Sequence, residues 1–302
     1  MISVIIPLYN KEASVATALR SVLAQTYQDF EIVVVDDGST DGSVAVVETF
    51  DDARIRLIRQ QNAGVSAARN RGTAEAKGEY VSFLDADDEW TPGFLEEIQA
   101  LQEAFPDCKA QATNYTFCSN GVKSSTILRK LPFDGERGVL SNYFEVASCS
   151  HPPVCSICVC IERKLLQEIG GFPIGIKSGE DLLTWARIAV RTQWAYSRKA
   201  YPVFNIEGYG INERPKRIPA EIDIVGNELE STYRSNPGQK GLKDYISHWH
   251  KMRCSIYMRL GMSKKSIKEA IKGLRFQPLN YKLYAYIILD LIPEKLRKNI
   301  IR

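Results

Sequence analysis

Hydrophobic residues in the N-terminal third of the chain fall into short continuous runs, separated by longer stretches with helical spacing. Ser3–Leu8 is an apolar run. Glu12–Gln25 places Val15, Ala18, Leu19 and Val22 on one helical face, and Phe30–Asp36 contains Ile32-Val33-Val34-Val35. That second run is apolar on both faces, as a central strand covered on each side must be. Asp41–Phe50 predicts a helix, Ile55–Arg59 a strand, Val65–Ala76 a helix of small residues and Tyr80–Leu84 a further strand. Strands alternating with helices at this density predict right-handed βαβ units, a largely parallel sheet and an α/β fold.

Beyond a helix over Pro92–Ala104, capped by Thr91 and started by Pro92, the pattern loosens. Ala110–Cys118 and Val154–Ile161 predict strands, and Lys164–Ile169 and Glu180–Arg191 predict helices. Residues 121–150 are polar and poorly periodic, and are expected to be a long loop over a site. From about Pro219 the chain becomes helical and basic, with helices expected near 219–235, 240–260, 263–274 and 279–301. Two domains are expected: 1–210, carrying the sheet, and 211–302, helical and basic.

Net charge is only +3, yet residues 240–302 hold 15 Lys and Arg against 4 Asp and Glu. A basic end of this kind is expected to meet an anionic surface, and its aromatic residues are not organised to stack nucleic-acid bases. Leu279, Leu283, Tyr286, Ile287, Leu291 and Ile292, flanked by Lys282, Lys295, Arg297 and Lys298, fit two descriptions equally. They could form an interfacial helix on an anionic membrane, or a helix packed on its own domain. No signal-peptide pattern and no run of spanning length is visible, which predicts a cytoplasmic protein, peripheral at most on the inner face of the cell membrane. Seven cysteines do not make a disulfide framework in a chain of this length. Cys155, Cys158 and Cys160 lack a second cluster to complete a metal site and are read as buried thiols.

The candidate chemistry lies at the ends of the predicted strands. Asp85-Ala86-Asp87 follows Tyr80–Leu84 and continues into Asp88-Glu89. Four acids in five positions repel one another unless something positive sits there, and Mg²⁺ or Mn²⁺ takes carboxylate oxygens and then phosphates. An acidic turn entering a helix is the plainer alternative. Asp36-Asp37-Gly38-Ser39 follows the second strand, where a carboxylate can accept from a uracil N–H or a ribose hydroxyl. Asn62-Ala63-Gly64 opens the helix that carries Arg69 and Arg71, and a helix N-terminus with arginines suits a nucleotide diphosphate. Ser178-Gly179-Glu180-Asp181 fits a capping box, the plainer reading taken alone, and also offers a carboxylate as general base.

These segments occur in one order: Ser3-Val4-Ile5-Ile6-Pro7-Leu8-Tyr9-Asn10, Val35-Asp36-Asp37-Gly38-Ser39-Thr40-Asp41, Asn62-Ala63-Gly64 through Arg69-Asn70-Arg71-Gly72, Asp85-Ala86-Asp87-Asp88, and Gly179-Glu180-Asp181. In that order and spacing, over about residues 1–210, the chain resembles a family 2 glycosyltransferase of the GT-A fold. The resemblance implies a nucleotide-diphospho-sugar transferase with a mixed, Rossmann-like sheet. It implies inverting transfer from a nucleotide-sugar, with UDP favoured, to a saccharide or lipid-linked acceptor, as in cell-surface polysaccharide synthesis, with Mn²⁺ or Mg²⁺ as cofactor. Pro7, Tyr9 and Asp37 are then expected at the uracil and ribose, Asn62, Gly64 and Arg69 near the diphosphate, Asp85 on the nucleotide and Asp87 on the metal. Asp181 is the expected base, with Glu180 beside it. The Q-x-x-R-W motif of processive synthases is missing, so a single addition is expected. A non-catalytic nucleotide-sugar sensor is the alternative from another class. A nucleotidyltransferase would want a Gly-rich basic loop after the first strand, where this chain has Pro7-Leu8-Tyr9-Asn10-Lys11-Glu12.

Overall fold

A computed structural model describes residues 1–206 and 218–292. Its first stretch runs β1 (Ile2–Leu8), α1 (Val15–Leu23), β2 (Phe30–Asp36), α2 (Ser43–Glu48), β3 (Ile55–Arg59), α3 (Val65–Glu75), β4 (Tyr80–Phe83), β5 (Glu89–Trp90) and α4 (Phe94–Ala104). There follow β6 (Ala110–Ser119), β7 (Val122–Ser125), β8 (Arg137–Leu140), α5 (Tyr143–Cys149), β9 (Val159–Glu162), α6 (Arg163–Glu168), α7 (Glu180–Ala189) and β10 (Trp194–Asn205). The helices α8 (Ile224–Ser235), α9 (Leu242–Arg259), α10 (Ser263–Phe276) and α11 (Tyr281–Leu291) complete the described chain.

Among the described residues ten strands form one mixed sheet, ordered β3-β2-β1-β4-β9-β6-β10-β5, with β7 on β6 and β8 on β10. β1 to β4 pair in parallel, while β9 runs antiparallel to both β4 and β6. β2 is buried along its whole length, as its two-faced apolar pattern predicts. α1 covers the sheet with Val15, Ala18, Leu19 and Val22, and each large apolar side chain buried this way contributes roughly 1.5–3 kcal/mol. α3 packs differently, burying Ser66, Ala68, Gly72 and Thr73 together with Arg69. A Cβ on Gly72 would lie 2.4 Å from Ile5 Cγ2, so glycine lets this helix approach β1 closely.

Several expectations change. Residues 121–150 are not one loop, because they supply β7, β8 and α5. The run from Val154 begins with a 3-10 turn at Ser156–Cys158 before β9 starts. α4 starts at Phe94 behind Gly93, whose φ is 95°, and the Thr91 hydroxyl donates to the Tyr201 carbonyl at 2.9 Å instead of capping the helix. The three clustered cysteines are free and buried, with Cys158 Sγ donating to the Cys155 carbonyl at 3.3 Å. Burial pushes the Cys160 thiol up to about 12.

The described residues divide into two compact units, 1–146 with 150–206, and 147–149 with 218–292. The boundary expected at 210/211 lies outside the described residues. Within the second unit, Leu283 is fully buried against Cys254 and Ala270, and Leu274, Tyr286 and Ile287 pack on that core. Three of the six apolar positions that fitted either a membrane helix or a packed one therefore pack on the core of their own unit. Leu279 and Leu291 remain 92% and 72% exposed, joined by Tyr281, Tyr284 and Ile288. Lys295, Arg297 and Lys298 lie outside the described residues. No helix among the described residues is long and apolar enough to cross a membrane.

The second unit also holds a buried ionic knot. Asp223, His250 and Glu269 bring their potential ligand atoms within 4.8 Å of one another. Arg253 Nε lies 3.3 Å from a carboxylate oxygen of both Asp223 and Glu269, so a guanidinium already supplies the positive charge there. Asp223 also accepts from Trp249 Nε1 at 3.1 Å and from Gly226 N at 3.0 Å, which makes the cluster a tie between α8, α9 and α10.

Candidate active site

From β1 the chain goes to β2 on one side, and β4 pairs with β1 on the other. That reversal opens a crevice at the carboxyl ends of the parallel strands, where open α/β sheets bind ligands. The loops after β1, β2, β3 and β4 all end at this edge.

The first two of those loops are stitched together by polar side chains. Asn10 Oδ1 accepts from Thr40 N at 2.8 Å, Glu12 Oε2 accepts from Gly42 N at 2.9 Å, and Lys11 N donates to Ser43 Oγ at 2.7 Å. Asp37 then fixes the loop after β3. Its Oδ1 accepts from Gln60 Nε2 at 2.7 Å and Ala63 N at 2.9 Å, and its Oδ2 accepts from Gly64 N at 2.8 Å. This buried carboxylate holds the Asn62–Gly64 turn at the start of α3, a structural task that its sequence context did not suggest. A carboxylate oxygen accepts two bonds, so Oδ2 retains one acceptor position. Pro7 sits within β1 opposite Val35, Tyr9 is 48% exposed just beyond the strand, and Asn62 is exposed.

The acidic cluster is divided by burial. Asp85 accepts from Arg69 Nη2 at 2.7 Å and from Ser156 Oγ at 3.2 Å. Arg69 is buried rather than open on the helix surface, and its guanidinium lies over the Phe172 ring at 5.2 Å. Phe172 is in turn fastened to α3: Asn70 Nδ2 donates to its carbonyl at 2.7 Å, and its N–H donates to Asn70 Oδ1 at 2.8 Å. Asp88 is buried and accepts from Asn205 N at 2.7 Å. Burial, then the charge of Asp85, pushes its carboxyl up to about 8. Asp87 is half-exposed and meets Lys11 Nζ at 2.5 Å.

Mutual repulsion is thus relieved by the chain's own groups: Arg69 on Asp85, Lys11 on Asp87, and an Asp88 that holds its proton near neutral pH. The acids do not by themselves demand a metal. They nonetheless fit one, because Mg²⁺ and Mn²⁺ are commonly held by one or two carboxylates plus substrate phosphates. Asp87 offers such a carboxylate, and the ammonium of Lys11 already stands there as a cation.

Glu180 and Asp181 open α7 behind Gly179, whose φ of 86° replaces the capping box expected at Ser178. Asp181 Oδ1 accepts from Leu182 N at 2.7 Å. Burial raises the Asp181 carboxyl pKa, and the positive charge of Arg69 works against that rise. Burial and then Asp181 raise Glu180. Arg69 is therefore the shared neighbour of Asp85, Asp181 and Glu180, residues widely separated in the chain. Its Nε and Nη1 are buried with no hydrogen-bond partner among the described residues, as is Ser66 Oγ. Lys11, Asn70, Ser156 and Asn205 carry no local sequence signal for these contacts, which join them to distant parts of the chain. Asn70 stood inside the Arg69–Gly72 motif and was the one of these most open to discovery.

A crevice of this kind, on a sheet of this order, defines the GT-A class of nucleotide-sugar transferases. The fold matches that of S. aureus TarS residues 1–349 in complex with UDP-GlcNAc, with a TM-score of 0.65 and 20% identity, covering 98% of this chain and 85% of that one. It also matches the mannosyltransferase PcManGT from Pyrobaculum calidifontis in complex with GDP-Man and Mn²⁺, with a TM-score of 0.57 and 21% identity, covering 96% of this chain and 86% of that one. The family model for glycosyl transferase family 2 matches residues 3–169, more than half of the chain, and the chain belongs to that family.

Among curated relatives, an uncharacterised glycosyltransferase of Rickettsia conorii is 33% identical over 239 residues, covering 78% of this chain and 38% of the relative. The uncharacterised glycosyltransferase YibD of Escherichia coli is 44% identical over 102 residues, covering 33% of this chain and 30% of YibD. The chain thus spans well under half the length of these relatives.

Proposed function

We propose that this glycosyltransferase moves a sugar from a UDP-sugar to a hydroxyl of a glycan or lipid-linked saccharide, with inversion and one addition per encounter, in the building of cell-surface polysaccharide. The observation that carries this reading is Arg69, which donates to Asp85 at 2.7 Å and whose charge also acts on Glu180 and Asp181. A donor-side carboxylate and a candidate base share one electrostatic neighbourhood. The UDP-GlcNAc, UDP and GDP-Man complexes of proteins with this fold support a nucleotide-sugar donor.

Asp37 would use its remaining Oδ2 acceptor position on the uracil or ribose, with Pro7 and Tyr9 lining that end. Asn62 and Gly64 would approach the diphosphate at the start of α3. Asp85, held in place by Arg69 and Ser156, would orient the nucleotide. Asp87 would hold Mn²⁺ or Mg²⁺, which when bound neutralises charge on the leaving nucleotide. Asp181 accepts the proton of the acceptor hydroxyl as that oxygen forms its bond to the anomeric carbon. The bond from that carbon to the diphosphate oxygen breaks on the opposite face, and its electron pair leaves with the nucleotide. Glu180 and Arg69 set the charge around the base.

Hypothesis: Asp181→Asn lowers the turnover number by about 10²–10⁴, the range for a positioned base, while UDP affinity stays within a small factor of wild type. UDP release from UDP-sugars, read alongside UDP binding, checks this. Intact turnover in the variant would remove Asp181 from the role. Wild-type UDP binding without turnover on any donor would favour the non-catalytic sensor.

A further inference from the structure

The Asp-x-Asp pair carries two cations of very different kinds. Arg69 and Asp85 have side chains only 4% and 24% exposed, and the guanidinium lies over the Phe172 ring. Lys11 and Asp87 are 40% and 44% exposed, and the ammonium reaches its partner on a flexible four-carbon stem. Exposed pairs of this sort hold together weakly, whereas a buried arginine cannot leave without stranding its charge. Lys11 is held from below by its backbone, since its N–H donates to Ser43 Oγ at 2.7 Å, so its side chain can swing while the loop stays in place. Asp87 is likewise fixed through its backbone, because its carbonyl accepts from Asn205 Nδ2 at 2.7 Å.

We propose that Lys11 is a removable counter-ion for Asp87, which occupies the metal's carboxylate in the free protein and yields it when a divalent cation arrives with a nucleotide diphosphate. The inference rests on the donor site proposed above and deepens it. A metal arriving alone must displace an ammonium that exchanges its carboxylate for water and stays close enough to repel the metal. A metal arriving with a diphosphate displaces the same ammonium beside new phosphate oxygens, which accept it. Lys11 therefore makes metal binding depend on nucleotide, and by linkage makes nucleotide binding depend on metal to the same degree. It suppresses occupation of the crevice by the metal alone.

The test is a titration of the full chain with Mn²⁺, following the loss of the free-ion electron paramagnetic resonance signal, with and without UDP. Wild type, Lys11→Met and Lys11→Arg are compared. Without UDP, Lys11→Met is expected to bind Mn²⁺ about three- to tenfold more tightly than wild type, the scale of removing one partly solvated positive charge. The factor by which UDP strengthens Mn²⁺ binding should shrink correspondingly. Lys11→Arg keeps a cation in place and should stay near wild type, which separates loss of charge from any disturbance of the loop. Unchanged or weaker Mn²⁺ binding by Lys11→Met, with wild type binding Mn²⁺ in the presence of UDP, would overturn this inference and leave the donor site standing. Absence of Mn²⁺ binding by wild type with UDP would overturn both.

Discussion

Arg69 and Lys11 show how single residues divide the work of one acidic cluster. The buried guanidinium donates to Asp85 at 2.7 Å, and its charge opposes the rise in the Asp181 pKa. The half-exposed ammonium meets Asp87 on a tether. The sign of the Asp181 shift has a kinetic consequence. Burial raises its pKa above the ordinary 3.8, and a general base must be ionised to work. With Asp181 as the proposed base, activity is expected to fall as pH drops through a value above the ordinary one for Asp, with Glu180 and Asp181 titrating as a pair. Arg69→Met should move that acid limb further toward neutral pH, because it removes the charge opposing the rise. Turnover against pH for both proteins checks this, and a wild-type rate that stays flat down to about pH 4 would contradict it.

Elements position these residues through contacts that differ in how visible they are in the sequence. The parallel strands and α1 were legible because their apolar periodicity is strong and local. β10 escaped notice because Arg198, Lys199 and Pro202 interrupt its pattern, and two register irregularities, between Ser197 and Ala200 and between Ala200 and Val203, break the alternation. β8 and α5 were hidden within a polar stretch that owes its structure to distant partners, as in the pairing of Arg137–Leu140 with Trp194–Ser197. The acids and Arg69 were readable as candidates, but the partners of Lys11 and Asn70 lie 76 and 102 residues away, beyond any local pattern. α3 carries the most direct elemental prediction. Gly72→Val places branched atoms against Ile5, where even a Cβ is 2.4 Å from Cγ2. Urea unfolding is expected to show a loss of about 1–3 kcal/mol, the usual cost of overpacking. An unchanged midpoint would mean that the contact between α3 and β1 is looser than described.

At the scale of the whole molecule, the chain combines a transferase unit with a helical unit whose outer surface is basic and apolar. On α10, Lys264, Lys268 and Arg275 are exposed, while Ser266, Glu269, Ala270 and Gly273 face inward. On α11, Tyr281, Tyr284, Ile288 and Leu291 are exposed, while Leu283 is core. An anionic membrane surface is the partner we propose for this unit, which would bring the enzyme to lipid-linked acceptors. Each lysine near such a surface contributes about 1 kcal/mol, so Lys264→Glu with Lys268→Glu should weaken sedimentation with phosphatidylserine vesicles by more than tenfold, with little effect on neutral vesicles. Equal sedimentation of the variant and wild type would remove the membrane from the account.

Asp37, Asp85 and Asp87 are proposed to form a UDP-sugar site at the switch point of the sheet. Calorimetric titration of the full chain with UDP, once with Mn²⁺ and once with EDTA, tests it most directly. Binding with Mn²⁺ that weakens sharply in EDTA is the expected result. No UDP binding under either condition would contradict the site, beginning with the nucleotide role of Asp37.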